Sequence, residues 1–474
     1  MTASIFWYDF ETTGIQAHSD RPMQVAGIRT NEQLEEIDEP LNIYCQLSED
    51  ILPHPMASLI TGIGPEVLQQ QGLLEVDFIE QLHQQLIRPN TCTAGFNSLR
   101  FDDEMTRATL YRNFYDPYAR EWQGGNSRWD LIDVLRCTWA LRPEGIHWPE
   151  QDGRVSFKLE NFTAANQIAH GQAHDALADV RATIAVARLV RERQPKLFDY
   201  LYALRRKNAV QERIRLMQPI LHISGMFPVE RHCLAPVLPL AWHPTNRNAL
   251  IVCDLHADVS PLLDLDAETL KTRLYTRYDD LAEGQLPVPL KLIHINKSPV
   301  VAPLSVLREE DNQRLAFDHS RWQANYQLLK ECSAQWQDKL SIVYTDQREF
   351  AEHDPEQQLY GAFLGPRDRK MCETLRQTVP EQLQTDRWPF DDARLPELLF
   401  RYRARNYPQT LSPSELEQWT QFCRARLSGE QGGAPLTIAD YFTAYAQLSQ
   451  EQQDSPAVQG WYQRVQTMQQ RYQL

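Results

Sequence analysis

The hydrophobic patterning of the chain changes character near residues 195 and 354, and this constrains the fold more than any other feature. The first stretch mixes short apolar runs with helical spacings. The second has short strand-like runs separated by prolines, and the third carries long helical patterns to the C-terminus. A chain of 474 residues is also too long for one ordinary core. We therefore predict three domains, covering residues 1–195, 196–353 and 354–474.

Composition narrows the class of protein. Hydrophobic residues make up 42% and charged residues 23%, values that are ordinary for a folded globular chain. No apolar run of about 18 residues occurs, which argues against a membrane span, and the N-terminal residues lack a basic signal-peptide region. The eight cysteines are scattered without zinc-ligand spacing. These features predict a cytoplasmic protein with reduced thiols.

The first domain is predicted to be α/β or α+β, because strands come first and then alternate with helices. The expected strands are 4–10, 24–30, 41–46 and 91–96, and the expected helices are 74–87, 103–114, 130–141 and 175–191. A single basic helix is expected over 197–216. Short strands at 220–223, 249–255 and 288–295 follow, with the intervals broken by Pro228, Pro236, Pro239, Pro244 and Pro261. The remaining residues predict an all-helical domain.

The sharpest local feature is Asp9-Phe10-Glu11 at the end of the first apolar run. Side chains at i and i+2 of a strand face the same way, so Asp9 and Glu11 are expected to point together. Such close like charges repel unless cations neutralise them, and Mg²⁺ prefers oxygen ligands of this kind. A solvated acidic turn is the alternative interpretation of this motif taken alone.

Two further motifs place acids near helix starts. Asn97 begins a segment that reaches Phe101, Asp102, Asp103 and Glu104, where acids also suit the helix dipole. His174 precedes Asp175, which is expected to cap a helix that carries Asp179 one turn later. Asp130 and Asp133 are expected to serve another helix start.

The ordered set Asp-x-Glu, Asn-x-x-x-Phe-Asp and His-Asp-Ala-x-x-Asp resembles the DEDDh branch of the proofreading-type 3′→5′ exonucleases. Further stretches in all three segments resemble the bacterial exonuclease I family, which is specific for single-stranded DNA. They are 126–130, 141–146, 242–244, 294–297 and 402–406. The resemblance implies a ribonuclease H-like exonuclease domain with a mixed sheet, an SH3-like β-barrel domain and an all-α C-terminal domain.

The resemblance also implies the catalytic residues. It makes His174 the general base and assigns two Mg²⁺ ions, for which Mn²⁺ is a possible substitute, to four carboxylates: Asp9, Glu11, Asp102 and Asp179. We expect Asp9 to be shared between the ions, Glu11 and Asp179 to complete the nucleophile-side ion, and Asp102 to hold the other. Asp103 and Glu104 are rival ligands to Asp102. The expected products are 5′-mononucleotides released from the 3′ end, in a role in DNA repair and recombination.

The DNA path is less defined by the sequence. Single strands are held by stacking rings and basic grooves, so Phe10, Arg128, Trp129 and Lys158 are candidates for DNA contacts. Arg401, Arg403 and Arg405 either line the groove or fix the helical domain. By resemblance, Arg142, Tyr200 and Arg308 bind the acidic C-terminal tail of single-stranded DNA-binding protein, since Arg binds carboxylates bidentately. The resemblance also implies a monomer.

Two alternatives remain open at the level of sequence. The same active site serves 3′→5′ exoribonucleases, because the 2′-hydroxyl is recognised by the surrounding shape. A non-catalytic scaffold with this fold is the other, although all five catalytic positions are filled. The net charge of −15 also opposes binding to a polyanion unless the basic residues are concentrated locally.

Overall fold

We describe a computed structural model of the chain, covering residues 3–171, 175–315, 318–345, 354–430 and 433–474. The chain divides into two compact units. The first unit takes its residues from Met1–Ser127, His170–Ile184 and Phe350–Leu474, and the second from Arg128–Ala169 and Ala185–Glu349. Among the described residues, no helix is both long enough and apolar enough to cross a membrane.

A mixed sheet forms the centre of the first unit. Its strands are hydrogen-bonded in the order β4-β3-β2-β1-β5. β1 pairs antiparallel with β2 and parallel with β5, which confirms the predicted mixed sheet. The bounds are β1 (Ser4–Thr12), β2 (Pro22–Thr30), β3 (Leu41–Cys45), β4 (Gly72–Leu73) and β5 (Thr91–Gly95).

Of the early helices, the last two agree with the predicted helices 74–87 and 103–114 to within a few residues, and the first two were not predicted. These early helices are α1 (Pro55–Thr61), α2 (Pro65–Gln71), α3 (Glu75–Leu86) and α4 (Asp102–Arg112). The apolar face of α3, with Phe78 and Leu82 fully buried, packs in one cluster with Phe6, Tyr8 and Phe10 of β1. Because this cluster covers one face of β1, the strand that carries Asp9 and Glu11 is held rigidly.

The next part of the chain contains short elements and two longer helices. They are β6 (Ser127–Asp130), α5 (Leu131–Leu141), β7 (Glu150–Gln151), β8 (Arg154–Val155), α6 (Leu159–Ala165) and α7 (Ala176–Arg193). Asp130 caps α5, because its Oδ1 accepts the Ile132 N–H at 3.1 Å. Asp133 lies in the first turn of the same helix, as expected.

The predicted single helix over 197–216 is wrong. The structure has α8 (Pro195–Ala203) and α9 (Lys207–Gln211) instead. The N–H groups of Arg205 and Arg206 bond three residues back, to Tyr202 and Ala203, so the last turn of α8 tightens and ends. The Arg205 guanidinium lies 3.6 Å from the centre of the Tyr202 ring, a contact that favours this ending.

The second unit contains a five-stranded antiparallel sheet in the order β12-β11-β10-β9-β13. Its strands are β9 (Ile220–Ile223), β10 (Leu234–Trp242), β11 (Ala249–Asp254), β12 (Leu290–His294) and β13 (Val300–Pro303). Further helices lie between or after these strands: α10 (Ser260–Asp264), α11 (Ala267–Tyr275), α12 (Glu309–Arg314), α13 (His319–Glu331) and α14 (Ser333–Val343).

The central strand β10 corrects the expectation that Pro236 and Pro239 lie in a broken interval between strands. Pro cannot donate to a ladder and normally marks an edge or a bulge. Here the pairing register with β11 shifts between Pro239 and Ala241, so Pro239 sits at an irregularity. The carbonyl oxygens of both prolines still accept backbone hydrogen bonds, from Leu255 and Met217.

The C-terminal part of the chain is helical, as predicted. Its helices are α15 (Pro366–Arg376), α16 (Leu395–Asn406), α17 (Pro413–Ser428), α18 (Ile438–Ala446), α19 (Gln450–Gln453) and α20 (Pro456–Tyr472). These helices share apolar clusters with the N-terminal part of the same unit. Trp419 and Trp461 cluster with Met23 and Leu52, for example. The C-terminal helices therefore complete the core beneath the mixed sheet.

Candidate active site

Asp9 and Glu11 lie at the end of β1, on the face opposite Tyr8 and Phe10. Strand alternation places the two carboxylates together and sends the Phe10 ring into the core. Glu11 is 8% exposed, so its charge has little contact with water. The structure thus brings together the first two predicted metal ligands.

Asp179 completes a cluster with these two residues. One carboxylate oxygen each from Asp9, Glu11 and Asp179 lies within 4.8 Å of the others. Asp179 reaches this position because it is in the first turn of α7, whose start is capped by Asp175. The Asp175 Oδ1 accepts the N–H groups of Leu177 and Ala178 at 2.9 and 3.1 Å. Asp175 therefore acts as a cap, as predicted.

Asp102 begins α4 beside the same strand. Its Oδ1 accepts the backbone N–H of Phe10 at 3.1 Å, and its side chain is buried. The rival acids have other partners. Asp103 accepts from the Tyr8 hydroxyl at 2.8 Å and from Arg120 at 2.7 Å. Glu104 pairs with Arg107 at 2.6 Å. The geometry favours Asp102 over both rivals as the fourth ligand.

The electrostatics of this cluster favour cations. Burial, followed by the charge of Asp179, raises the pKa of Asp9 to about 8. Burial, followed by the charges of Asp9 and then Asp179, raises the pKa of Glu11 to about 9. Burial and the charge of Asp9 also raise the pKa of Asp102 well above its ordinary value. Bound divalent cations would relieve this repulsion, and the all-oxygen donor set suits Mg²⁺ or Mn²⁺.

The predicted general base, His174, lies outside the described residues. A second histidine of the same segment, His170, was missed by the sequence reasoning. Its Nε2 lies 2.5 Å from Oδ1 of Asp179, and its side chain is 10% exposed. The signal was available, because His170 and His174 are both within nine residues of Asp179 in the sequence. His170 is thus a neighbour of the acidic cluster.

The predicted DNA contacts are placed differently from one another. Phe10 and Trp129 are 5% and 2% exposed, and Trp129 packs edge-on against Phe198 and Tyr202. Their burial corrects the expectation that these rings are open stacking surfaces. Arg128 is also buried and donates to the Asn296 carbonyl at 3.1 Å. Lys158 is exposed at the N-cap position of α6.

The residues predicted to bind an acidic tail lie in the second unit. Arg142 and Arg308 both contact the buried carboxylate of Asp311, at 3.1 and 2.8 Å. Arg308 also pairs with Glu144 at 2.6 Å. The Tyr200 hydroxyl donates to the Val301 carbonyl at 2.7 Å. The two arginines are therefore fixed side by side, with side chains that remain 27% and 36% exposed.

The arginines of α16 fix the helical part of the chain. Arg401 and Arg403 are buried and the Arg405 side chain is 8% exposed. Each pairs with an acid of the first unit, as follows: Arg401 with Asp354 at 2.7 Å, Arg403 with Glu415 at 2.6 Å and Arg405 with Asp50 at 2.7 Å. Of the two interpretations that the sequence left open, the structure supports the structural one.

Family models cover most of the chain. The description "Exonuclease" matches residues 6–187, "Exonuclease I SH3-like domain" matches 205–346, and "Exonuclease I C-terminal domain" matches 353–470. The first match contains the clustered acids Asp9, Glu11 and Asp179 and also Asp102. The order of the three matches agrees with the mixed sheet, the antiparallel sheet and the C-terminal helices described above.

Individual proteins extend this similarity. Exodeoxyribonuclease I of Escherichia coli strain K12 is 46% identical over 426 residues, which are 89% of each chain. A crystal structure of E. coli exonuclease I with a dA16 oligonucleotide superposes with a TM-score of 0.93 at 43% identity, over 98% of this chain and 100% of that one. A zinc-bound form of an E. coli exonuclease I–single-stranded DNA complex gives 0.91 at 42% identity, over 99% and 100%. With its acidic cluster and its three matched segments, the chain belongs to the exodeoxyribonuclease I family.

Proposed function

We propose that this chain hydrolyses single-stranded DNA from the 3′ end and releases 5′-mononucleotides, in the service of DNA repair and recombination. The observation that carries the proposal is the convergence of Asp9, Glu11 and Asp179, with Asp102 beside them, at the end of a buried strand. Phosphodiester hydrolysis needs stabilisation of charge on the attacking and leaving oxygens, and a cluster of carboxylates with raised pKa values is suited to bind the cations that provide it.

Two Mg²⁺ ions fit this donor set. Asp9 would be the shared ligand, Glu11 and Asp179 would hold the ion on the nucleophile side, and Asp102 the other. When bound, such ions lower the pKa of water and neutralise charge on phosphoryl oxygens. The zinc-bound E. coli relative supports a metal-dependent family site, while the choice of Mg²⁺ rests on the oxygen-only ligands.

His174 is the proposed general base, carried over from the family motif. A histidine suits this role because its ordinary pKa near 6.5 lets it accept a proton at neutral pH. Within the described residues, Asp175 fixes the start of α7 directly after His174 in the sequence. The backbone from Asp175 to Asp179 is therefore held by a helix cap.

Single-stranded DNA is the favoured substrate because the E. coli relative was crystallised with such an oligonucleotide. The acidic total is unevenly distributed along the chain. The first unit has 21 basic and 37 acidic residues, a net of −16, whereas the second has 27 and 26, a net of +1. Lys158 and Arg128 belong to the second unit and stay proposed DNA contacts. We expect steep salt dependence of binding.

Several finer assignments accompany this proposal. The enzyme is proposed to be monomeric and cytoplasmic, with functional domains at 1–195, 196–353 and 354–474. It is also proposed to bind the acidic tail of single-stranded DNA-binding protein at Arg142, Tyr200 and Arg308. The tail assignment is supported by the two partly exposed arginines that flank Asp311, since paired guanidinium groups suit a terminal carboxylate.

The test is degradation of matched 3′-labelled single-stranded DNA and RNA with Mg²⁺. Wild type, Asp9→Ala, His174→Ala and the exposed control Asp77→Ala are compared. We expect wild type and Asp77→Ala to degrade DNA at similar rates and the other two to lose at least about 100-fold, a typical loss for general-base removal. Equal activity in all four would refute the site. Activity on RNA alone would favour the exoribonuclease alternative. Absence of activity on both DNA and RNA would favour the scaffold alternative.

A further inference from the structure

The residues next to two of the proposed metal ligands are joined by a buried hydrogen bond. Tyr8 immediately precedes Asp9 on β1, and Asp103 immediately follows Asp102 on α4. The Tyr8 hydroxyl donates to Oδ1 of Asp103 at 2.8 Å. Both side chains are almost fully buried, at 1% and 2% exposure. This bond therefore ties the strand that carries Asp9 to the helix that carries Asp102.

A second bond joins the same two elements, two residues further along β1 and one residue earlier on α4. The backbone N–H of Phe10 donates to Oδ1 of Asp102 at 3.1 Å. The two bonds flank Asp9 in sequence, from Tyr8 on one side and Phe10 on the other. Two hydrogen bonds at neighbouring positions constrain the separation and the rotation of α4 relative to β1 more closely than either bond alone.

Arg120 completes the arrangement behind the site. Its Nη2 donates to the same Oδ1 of Asp103 at 2.7 Å, and its side chain is fully buried. Within the described part of the chain, its Nε and Nη1 have no hydrogen-bond partner. The carboxylate of Asp103 thus compensates a buried guanidinium charge, and a pair of this kind is lost at high cost when one partner is removed.

Ion pairing with arginines also distinguishes Asp103 and Glu104 from Asp102 at the start of α4. Asp103 is compensated by Arg120, and Glu104 by Arg107 at 2.6 Å. The remaining acid of the first turn is Asp102, which lies against β1. The arginines therefore leave one acid of this turn to contribute its charge to the cluster of Asp9, Glu11 and Asp179.

We propose that Tyr8, Asp103 and Arg120 are positioning residues that set the separation between Asp9 and Asp102 and so the affinity of the metal site. The inference rests on the proposed function, because it assumes that these two acids hold a cation. None of the three residues needs to touch DNA. Their removal should therefore change metal dependence while leaving the KM for DNA unchanged.

Tyr8→Phe is the test variant, because it removes one hydroxyl and keeps the ring that packs against Phe6 and Phe10. Tyr111→Phe is the matched control. Tyr111 is also a buried residue of α4, and its hydroxyl donates to the Pro355 carbonyl at 3.1 Å, far along the helix from Asp102. Each variant loses one phenol hydrogen bond that involves α4, donated to the helix by Tyr8 of β1 or from the helix by Tyr111.

Two readouts are measured on the full chain. The first is Mn²⁺ binding to the metal-free protein by calorimetry without DNA, and the second is the Mg²⁺ dependence of kcat and KM on 3′-labelled single-stranded DNA. For Tyr8→Phe we expect about 3–10-fold weaker Mn²⁺ binding and a matching rise in the Mg²⁺ concentration for half-maximal rate, with KM for DNA unchanged. For Tyr111→Phe we expect both metal readouts to equal wild type. Thermal unfolding of both variants checks that they are folded at the assay temperature.

Equal metal binding by Tyr8→Phe, Tyr111→Phe and wild type would overturn the inference, and the hydroxyl of Tyr8 would then serve stability alone. If Tyr8→Phe is unfolded, Asp103→Glu is measured instead. This variant keeps a charge for Arg120 but displaces the contact with Tyr8, so weakened Mn²⁺ binding is again expected and wild-type binding again contradicts it. A wild-type protein without nuclease activity would count against the proposed function. That outcome is distinct from failure of the positioning inference, which is judged by Mn²⁺ binding.

Discussion

The guanidinium of Arg21 donates to the carboxylate of Glu356 at 2.5 Å, although the two residues are 335 positions apart in the sequence. Both side chains are 3% exposed. Arg21 ends the loop that follows Glu11, and Glu356 opens the C-terminal helical part of the chain. Glu356 also pairs with Arg405 of α16. One buried acid therefore connects the loop beside the active site with the helices that complete its unit.

Glu356→Gln should destabilise the protein strongly. The substitution removes the buried charge shared by Arg21 and Arg405, and among the described acids it leaves Arg21 only the Glu75 carboxylate at 3.8 Å and Arg405 only Asp50 at 2.7 Å. Breaking such a network costs about 3–5 kcal/mol. Glu397→Gln is the matched control, because it breaks the i,i+4 pair with Arg401 while Glu397 is 37% exposed. The control should lose no more than about 1 kcal/mol. Urea unfolding measures both, and equal losses would refute a special role for the buried network.

Metal binding should release protons. The pKa of Asp9 is raised to about 8 and that of Glu11 to about 9, so both acids are largely protonated at pH 7 in the metal-free protein. A bound cation requires them deprotonated. We therefore expect metal affinity to rise as the pH increases from about 6 to about 9. Calorimetry in buffers of different ionisation enthalpy should find one to two protons released per chain at pH 7, and none would contradict the raised pKa values.

The same shifts set the sign of a stability effect. Between the ordinary carboxylate pKa near 4 and the raised folded values, the folded state holds protons that the unfolded state has lost, so the free energy of unfolding falls as the pH rises. Asp9→Asn removes the contribution of Asp9 to this loss of stability, because the amide does not ionise. At pH 8 the metal-free variant should be about 1–3 kcal/mol more stable than wild type, the usual range for relieving an uncompensated buried group, while losing activity. A less stable metal-free variant would contradict this prediction.

His222 should make the second unit sensitive to acid. Burial, followed by the charge of Lys291, lowers its pKa to about 3, and its Nδ1 lies 2.8 Å from the Val300 carbonyl. Below pH 6.5 the unfolded chain binds a proton that the folded chain does not, so stability is lost as the pH falls from 6.5 towards 3. The loss between pH 6.5 and pH 5 should be about 2 kcal/mol. His222→Gln should remove this acid-induced loss of stability, and the exposed control His18→Gln should show the same loss as wild type.

Arg308→Glu should weaken binding of an acidic peptide with a free C-terminal carboxylate. Arg308 is held by Asp311 and Glu144 and stays partly exposed, so the reversal adds a negative charge where the tail is proposed to dock. We expect at least a tenfold loss in affinity by fluorescence anisotropy, equivalent to about 1.4 kcal/mol. Arg321→Glu, an exposed arginine of α13, should bind as wild type does. Equal affinity of all three proteins would place the tail elsewhere.

Local patterns predicted the elements of the first domain well, because its strands are continuous apolar runs and its helices have clear periodicity. The same reasoning failed at β10 and at the end of α8. Pro236 and Pro239 are tolerated because their carbonyl oxygens still accept hydrogen bonds and the register shifts at Pro239. These compensations depend on partners from distant residues, which the local sequence does not reveal.

The site shows a similar division. The spacing of Asp9 and Glu11 predicted their common face, because strand alternation is local. The preference for Asp102 over Asp103 came from the family resemblance, whereas the partners that occupy Asp103, Tyr8 and Arg120, are brought to it by the fold. The burial of Phe10 and Trp129 likewise depends on tertiary packing, so a ring beside catalytic residues in the sequence was a poor guide to a ring exposed to DNA.

The central claim is that four carboxylates hold two cations at the end of β1. Anomalous diffraction from crystals of the full chain soaked in Mn²⁺ tests it most directly. We predict two peaks about 3.5–4 Å apart, one among Asp9, Glu11 and Asp179 and the other between Asp9 and Asp102. A peak on Asp103 or Glu104, or no peak at Asp9, would contradict this account.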